Sequence, residues 1–176
     1  MVTIMNKGTH ILQAQLPCFL YLLAAFTLSA AIHGANAATA DEDTIERGKY
    51  LVRTSGCNDC HTPGYLLSEG STPEALWLTG DSFGWHGPWG TTYATNLRLL
   101  ISTLSENEWL LHAKTLKVRP PMPWFNLNMM HDEDLRAIYQ YVRHLGPAGE
   151  PSPSYLPPDI EPPPPFATFP APPPNR

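Results

Sequence analysis

Charge is scarce in this 176-residue chain: Lys, Arg, Asp and Glu make up 15% of it, against 43% apolar residues. That balance excludes a largely solvated, disordered polymer, which needs high charge and little apolar surface. Cations are the scarcer sign, 11 Lys and Arg against 16 Asp and Glu, for a formal net charge of −5. No basic stripe exists to neutralise phosphates, so nucleic acid is excluded as a partner. Cysteine is scarce as well, and three residues close one bridge at most, which excludes a disulfide framework. No internal repeat is visible. Proline is abundant instead, with 20 residues, 13 of them after Leu145.

The chain reads as three segments. Residues 1–37 have the pattern of an export signal. Lys7 is the only Lys or Arg before Arg47, the uncharged run Leu16 to Ile32 follows, and Ala35-Asn36-Ala37 supplies a small-x-small cleavage pattern. The other reading is a retained anchor, since 17 residues nearly reach a membrane span. Both readings put the remainder on the outer side of the inner membrane, in the periplasm. Cys18 is filler within the apolar run. Residues 38–145 form the domain, about 108 residues, enough for one small core that benefits from added stabilisation. Residues 146–176 carry 13 prolines. They read as extended polyproline-like chain without helix or sheet ladders, because proline lacks the amide donor. Phe166 and Phe169 are the residues able to pin this tail to the domain; a solvated tail is the other reading.

The domain reads as helical. Thr44 to Thr54 gives a short helix ending near Gly56. Leu104 to Thr115 contains a Ser105-x-x-Glu108 capping box ahead of Trp109, Leu110 and Leu111. Asp132 to Leu145 is the clearest helix. Leu135, Ile138, Tyr139, Val142 and Leu145 share one face, with acids in the first turn and Arg143 and His144 in the last. Gly146 and Pro147 stop it. Gly64 to Leu97 is rich in Gly, Thr and Trp and lacks periodicity. So long an irregular stretch in a compact domain makes sense if it wraps a large rigid ligand.

Cys57-Asn58-Asp59-Cys60-His61 names that ligand by its chemistry. Two thiols can add across the two vinyl groups of haem to form thioethers, and the two-residue spacing lets one turn of chain reach both. The adjacent His61 then lies under the iron as proximal ligand. This is the c-type haem attachment pattern; with this composition it arises by chance about 0.002 times in such a chain. A zinc site would need a further ligand pair, and none has the spacing. A thioredoxin-like dithiol would need a strand–helix context and a sheet. An export signal agrees with the haem reading, because covalent attachment takes place outside the inner membrane.

The sixth coordination position points to Met122, in Arg119-Pro120-Pro121-Met122-Pro123-Trp124. Flanking prolines fix backbone dihedrals and hold a thioether with little residual entropy. Met129 and Met130 are rivals beside the last helix, where a helix-start contact is the simpler role. His86, between Trp85 and Trp89, would give a bis-histidine iron. His112 reads as surface or core, His131 and His144 as helix-end residues.

These strings together resemble the bacterial single-domain, monohaem class I cytochromes c. The likeness is carried by Arg47-Gly48-Lys49-Tyr50-Leu51-Val52, Gly56 to Thr62, Tyr93-Ala94-Thr95-Asn96-Leu97, Arg119 to Trp124, and Asp132 to Tyr139. Gly146 to Pro151 looks like the tail of a subset of that family. The resemblance implies an all-α cytochrome c fold of three to five helices around one covalent haem c. It implies that the first and last helices cross near Gly48 and Tyr139, that Cys57 and Cys60 bind the haem, and that His61 and Met122 are the axial ligands. His131 departs from the Ser or Thr that usually caps the last helix, so Asp132 is expected to cap in its place.

A six-coordinate His/Met iron leaves no vacant site, and thioether ligation raises the potential relative to bis-histidine. The implied activity is one-electron transfer in the periplasm, with no catalytic residue. A dehydrogenase or quinol-oxidising complex would be the donor, and a terminal oxidase or another cytochrome the acceptor. The membrane is a partner only through an uncleaved signal or a membrane complex. Two alternatives stand beside the carrier: a haem-bearing subunit of a dehydrogenase or oxidase complex, and a haem peroxidase or gas sensor. Removing Lys7 with the signal leaves the mature chain at −6, so a docking face on the partner is expected to be basic or mainly apolar. Trp85, Trp89 and Trp124 are candidates for haem-pocket core or for an apolar docking face.

Overall fold

The computed structural model describes residues 42–170. The segment read as an export signal, its expected cleavage pattern and Cys18 lie outside the described residues, as do the last six. Among the described residues no helix is long and apolar enough to cross a membrane.

Six helices form the frame: α1 (residues 42–54), α2 (Cys57–His61), α3 (Leu97–Ser102), α4 (Glu106–Thr115), α5 (Trp124–Met129) and α6 (Asp132–Leu145). A 3-10 turn, Glu74–Leu76, interrupts the irregular stretch. A three-stranded sheet, β1 (Gly84–Gly87), β2 (Gly90–Thr92) and β3 (Phe166–Thr168), lies in the order β2-β1-β3. The fold is mainly helical and cytochrome c-like, with one more helix than the expected upper count and a small sheet besides.

The sequence explains the main helices. Ser105 Oγ accepts from the Glu108 amide at 3.4 Å while Glu108 Oε2 accepts from the Ser105 amide at 2.8 Å, completing the capping box of α4. In α6 the apolar positions recur at helical spacing and bury Leu135, Ile138, Tyr139 and Val142. The cap of α6 departs from expectation. His131 occupies the N-cap without a side-chain hydrogen bond, and Asp132 is the first helical residue, where it pairs with Lys114 at 2.9 Å. Three acids in the first turn satisfy the positive end of the helix instead.

Helix α1 crosses α6 at Gly48, near Tyr139 as expected, with the closest contacts to Ala137 and Tyr141 on either side of it. A Cβ on Gly48 would fall 2.0 Å from the Ala137 carbonyl oxygen and 2.6 Å from Tyr141 Cβ. Only glycine permits that approach, which lets Leu51 and Val52 bury beside α6. Tyr50 faces solvent. Tyr139 turns to α4's approach instead, its hydroxyl donating to the Leu104 carbonyl at 3.0 Å. Glu74 ties the crossing to the irregular stretch: Lys49 Nζ donates to one carboxylate oxygen at 2.6 Å and the Tyr141 hydroxyl to the other at 2.8 Å.

The end of α6 is closed by a buried cation. Arg98, on α3, donates to the Leu145 and Gly146 carbonyls and, at 2.7 Å, to the Ala75 carbonyl. Positive charge at the helix C-terminus meets the orphan carbonyls there.

The tail does make ladders, contrary to the reading that proline forbids them. The proline rule acts residue by residue, and Phe166-Ala167-Thr168-Phe169 is a proline-free stretch with its amides intact. β3 pairs in parallel with β1, Gly84 opposite Phe166 and His86 opposite Thr168. The Phe169 amide donates to the His86 carbonyl at 2.8 Å. Phe169 packs on Trp85 and Trp89, with ring centroids 6.0 and 5.3 Å apart. Upstream, Leu156 and Thr91 exchange both backbone hydrogen bonds, at 2.8 and 3.1 Å.

Two outcomes test this packing. Gly48→Ala should destabilise the protein by about 3 kcal/mol through overpacking. Gly64→Ala, at a positive φ with open space around its Cβ position, should cost only about 1 kcal/mol of backbone strain. Chemical denaturation of both variants checks the order, and equal costs would contradict the close crossing. The second outcome concerns acid. Burial raises the Glu74 pKa, but the hydrogen bonds from Lys49 and Tyr141 outweigh it and hold the group below its ordinary value. Its stabilising contribution is therefore present above the unfolded carboxylate pKa and lost as pH falls through the lowered folded one. Glu74→Gln should flatten the acid limb of a stability–pH profile; an unchanged limb would contradict the tie.

Candidate functional site

The site begins with a short turn. Gly56 adopts the left-handed region at φ +73°, which favours glycine, and lets the chain leave α1 and enter α2 at once. Within α2, Cys57, Cys60 and His61 stand at positions i, i+3 and i+4, which share one helical face. Thr62 Oγ1 donates to the buried Asn58 Oδ1 at 2.7 Å and accepts from the Leu78 amide at 2.8 Å, fixing the base of the turn. Leu78 holds a positive φ of 60°, strained for a branched-chain residue. Its carbonyl accepts from the Leu97 and Arg98 amides, at 3.0 and 3.3 Å.

His61 is oriented by a backbone carbonyl: its Nδ1 lies 2.7 Å from the Thr95 oxygen. A carbonyl only accepts, so the proton sits on Nδ1 and Nε2 keeps its lone pair. Burial lowers the imidazole pKa, against a smaller upward pull from the Thr95 carbonyl. The ring is therefore neutral at neutral pH, the form that ligates a metal. Both domain cysteines are free thiols. Burial pushes Cys57 up to about 11, and burial with the nearby Asp59 and Asp81 raises Cys60. A redox dithiol has a lowered thiol pKa, so this pair does not fit one.

Cys57, Cys60, His61 and Met122 all line one cavity of about 880 Å³. That is the upper part of the range for cofactor pockets, about 300–1,000 Å³. Its walls come from the irregular stretch and all six helices, with Leu78, Trp85, Leu97, Trp109 and Ile138 among the apolar residues. The formal charges among its lining residues are both cationic, Lys117 and Arg119, which suits a ligand carrying carboxylates. Two thiols on one helical turn, a neutral imidazole with a free Nε2, a thioether and an apolar cavity of this size fit haem c. Among the described residues no three His, Cys, Asp or Glu side chains gather as a metal site, so the zinc reading has no donor set there.

The rivals for the sixth position separate. His86 is in β1, its Nδ1 2.8 Å from Thr91 Oγ1, and does not line the cavity. Met129 is 81% exposed. Met130 lines the cavity but packs against the buried core, and its carbonyl accepts from Lys114 Nζ at 2.5 Å. Met122 lines the cavity without belonging to that core. His112 also lines it, stacked on Trp109 with centroids 6.1 Å apart, which its reading as surface or core did not foresee. Of the tryptophans held as pocket candidates, Trp85 is in the wall, while Trp89 packs on Phe169 and Trp124 lies beneath Lys117.

Other wall residues had no assigned role in the sequence. Thr95 stands in a quoted string but only its backbone oxygen acts, which no side-chain pattern reveals. Pro153 and Tyr155, from the tail, also line the cavity. Asn96 connects the tail to the wall: its Oδ1 caps α3 by accepting from the Leu99 amide at 3.0 Å. Its Nδ2 donates to the Ala148 and Glu150 carbonyls at 2.9 and 3.1 Å.

Known proteins point the same way. The cytochrome c subunit of the quinone alcohol dehydrogenase of Gluconobacter oxydans (strain 621H) is 34% identical over 134 residues, covering 70% of this chain and 26% of that subunit. The fructose dehydrogenase cytochrome subunit of Gluconobacter japonicus is 29% identical over 127 residues, covering 66% of this chain and 24% of the subunit. The cytochrome c subunit of the quinone alcohol dehydrogenase of Gluconacetobacter polyoxogenes is 28% identical over 139 residues, covering 73% and 28%. The chain thus spans about a quarter of the length of the curated relatives it matches. No family model and no solved structure matches. The relatives are cytochrome subunits, and together with the fold they support a cytochrome c.

Proposed function

We propose that the protein is a one-electron transfer module of the periplasm carrying a single covalent haem c. Cys57 and Cys60 would tether it, and His61 and Met122 would be its axial ligands. The observation that carries this is the convergence of those four residues on one apolar cavity, with His61 Nδ1 held by the Thr95 carbonyl. When bound, haem supplies a one-electron ferric–ferrous couple. The chain's own residues do the rest. Thr95 holds the imidazole in the tautomer that presents Nε2. Leu78, Leu97, Trp109 and Ile138 line the cavity with apolar surface, which would keep water from a bound haem and limit reorganisation when charge changes. Two protein ligands leave no open position for substrate, which favours transfer over peroxidase chemistry or gas sensing.

Partner chemistry follows from the chain around Met122. Residues 109–131 contain no Asp or Glu but contain Lys114, Lys117 and Arg119. Val118, Phe125 and Met129 are exposed in the same segment. Of the two partner faces expected from net charge, basic or mainly apolar, this surface fits the apolar one, with an acidic rim. Contacts of that kind are small and short-lived in redox encounters. The names of the relatives favour a second setting for the same chemistry, a haem-bearing unit working with a quinone-linked dehydrogenase, where the contact would be lasting.

The test is an absorption spectrum of the exported protein, reduced, before and after carbon monoxide. Wild type should be unchanged by the gas. Met122→Ala should bind it at once, and Met130→Leu should behave as wild type. Ready gas binding by wild type would contradict six-coordination and favour a sensing or catalytic role. Gentle purification separates the two settings: co-elution with a dehydrogenase marks a subunit, and elution alone with rapid electron exchange marks a soluble carrier.

A further inference from the structure

The loop presenting Met122 is poorly equipped to hold itself. Pro120, Pro121 and Pro123 have no amide to donate, and residues 117–120 are exposed. Within the loop the Trp124 amide donates to the Met122 carbonyl at 2.9 Å. Two ties come from outside. Thr92 Oγ1, on β2, donates to the Pro120 carbonyl at 2.8 Å. The Arg119 guanidinium lies 3.9 Å from the centroid of the Tyr155 ring, a close cation–π contact. Among the described residues no carboxylate pairs with Arg119.

Tyr155 is itself firmly placed. Its hydroxyl donates to the Trp89 carbonyl at 3.0 Å. Its neighbour Leu156 is laddered to Thr91 in both directions. Gly90 makes room for the ring: a Cβ there would fall 2.7 Å from Tyr155 Cε2 and 2.3 Å from the Leu156 carbonyl oxygen. Downstream, β3 is locked to β1; upstream, Asn96 grips Ala148 and Glu150, and Ser152 Oγ donates to the Ala94 carbonyl at 2.6 Å. Arg119, Met122 and Tyr155 line the same cavity. We infer that Tyr155 is a positioning residue for Met122, and that the proline-rich segment, through the Tyr155–Arg119 contact, clamps the loop that offers the thioether. The inference rests on Met122 as sixth ligand.

The experiment uses the full, haem-loaded chain and two readouts. One is the methionine–iron charge-transfer absorbance of the oxidised form; the other is the rate at which carbon monoxide enters the reduced form. Tyr155→Leu and Arg119→Gln should each weaken the band and raise that rate about fourfold, the scale of a lost cation–π contact at an exposed site. The double variant should go no further than either single one. Tyr155→Phe, which keeps the ring, should stay within about twofold of wild type. Arg119 is exposed, so Arg119→Gln carries the test if Tyr155→Leu does not fold. Wild-type behaviour of Arg119→Gln or Tyr155→Leu, with the band lost in Met122→Ala, would overturn the clamp and leave the ligand standing. A band retained in Met122→Ala would overturn the ligand assignment, and the clamp with it.

Discussion

A small domain built around a cavity of about 880 Å³ forgoes much of the apolar packing that would otherwise hold it together. Everything around the cavity reads as a response to that constraint. The α1–α6 crossing is closed as far as chemistry allows, with glycine at the contact. Arg98 closes the end of α6 on three carbonyls. The irregular stretch is held by side chains that bond backbone, Thr62 to the Leu78 amide and Asn96 to the tail. A tethered, rigid ligand filling the cavity would replace the missing core and would stabilise the native state by binding it alone.

The parts legible in the sequence are those whose signal is local. Helix α6 follows from apolar spacing and terminal charges, α4 from its capping box, and the tethering turn from two cysteines and a histidine on one face. Met122, singled out in the sequence by its flanking prolines, lines the cavity. The remainder depends on partners distant in sequence. Gly48 shows its role only against Ala137 and Tyr141. Thr95 acts through its backbone oxygen, and Arg98 looks like a surface cation until the end of α6 is seen above it. The tail misleads for a different reason. Its proline content suppresses any strand signal, yet two short proline-free stretches, at Leu156 and at Phe166 to Phe169, are enough to join it to the sheet.

Charge follows a similar logic. The chain is acidic as a whole, and its acids are spread over α1, α2, the irregular stretch, the start of α4, the first turn of α6 and the tail. The segment from Trp109 to His131 has none, and it supplies the methionine loop and both cations of the cavity wall. Net charge alone suggested a basic or mainly apolar partner face; the cations and exposed apolar residues of this segment would suit an apolar face with an acidic rim. The relatives are cytochrome subunits about four times as long as the stretch matched here.

A single haem held covalently by Cys57 and Cys60 would show in the intact mass of the protein, purified from cells that attach c-type haem and measured under denaturing conditions. The account predicts the mature chain plus one haem, with Cys57→Ala and Cys60→Ala each weakening the attachment and the double variant abolishing it. A mass equal to the bare polypeptide, or to a polypeptide lighter by the two hydrogens of a Cys57–Cys60 disulfide, would contradict it.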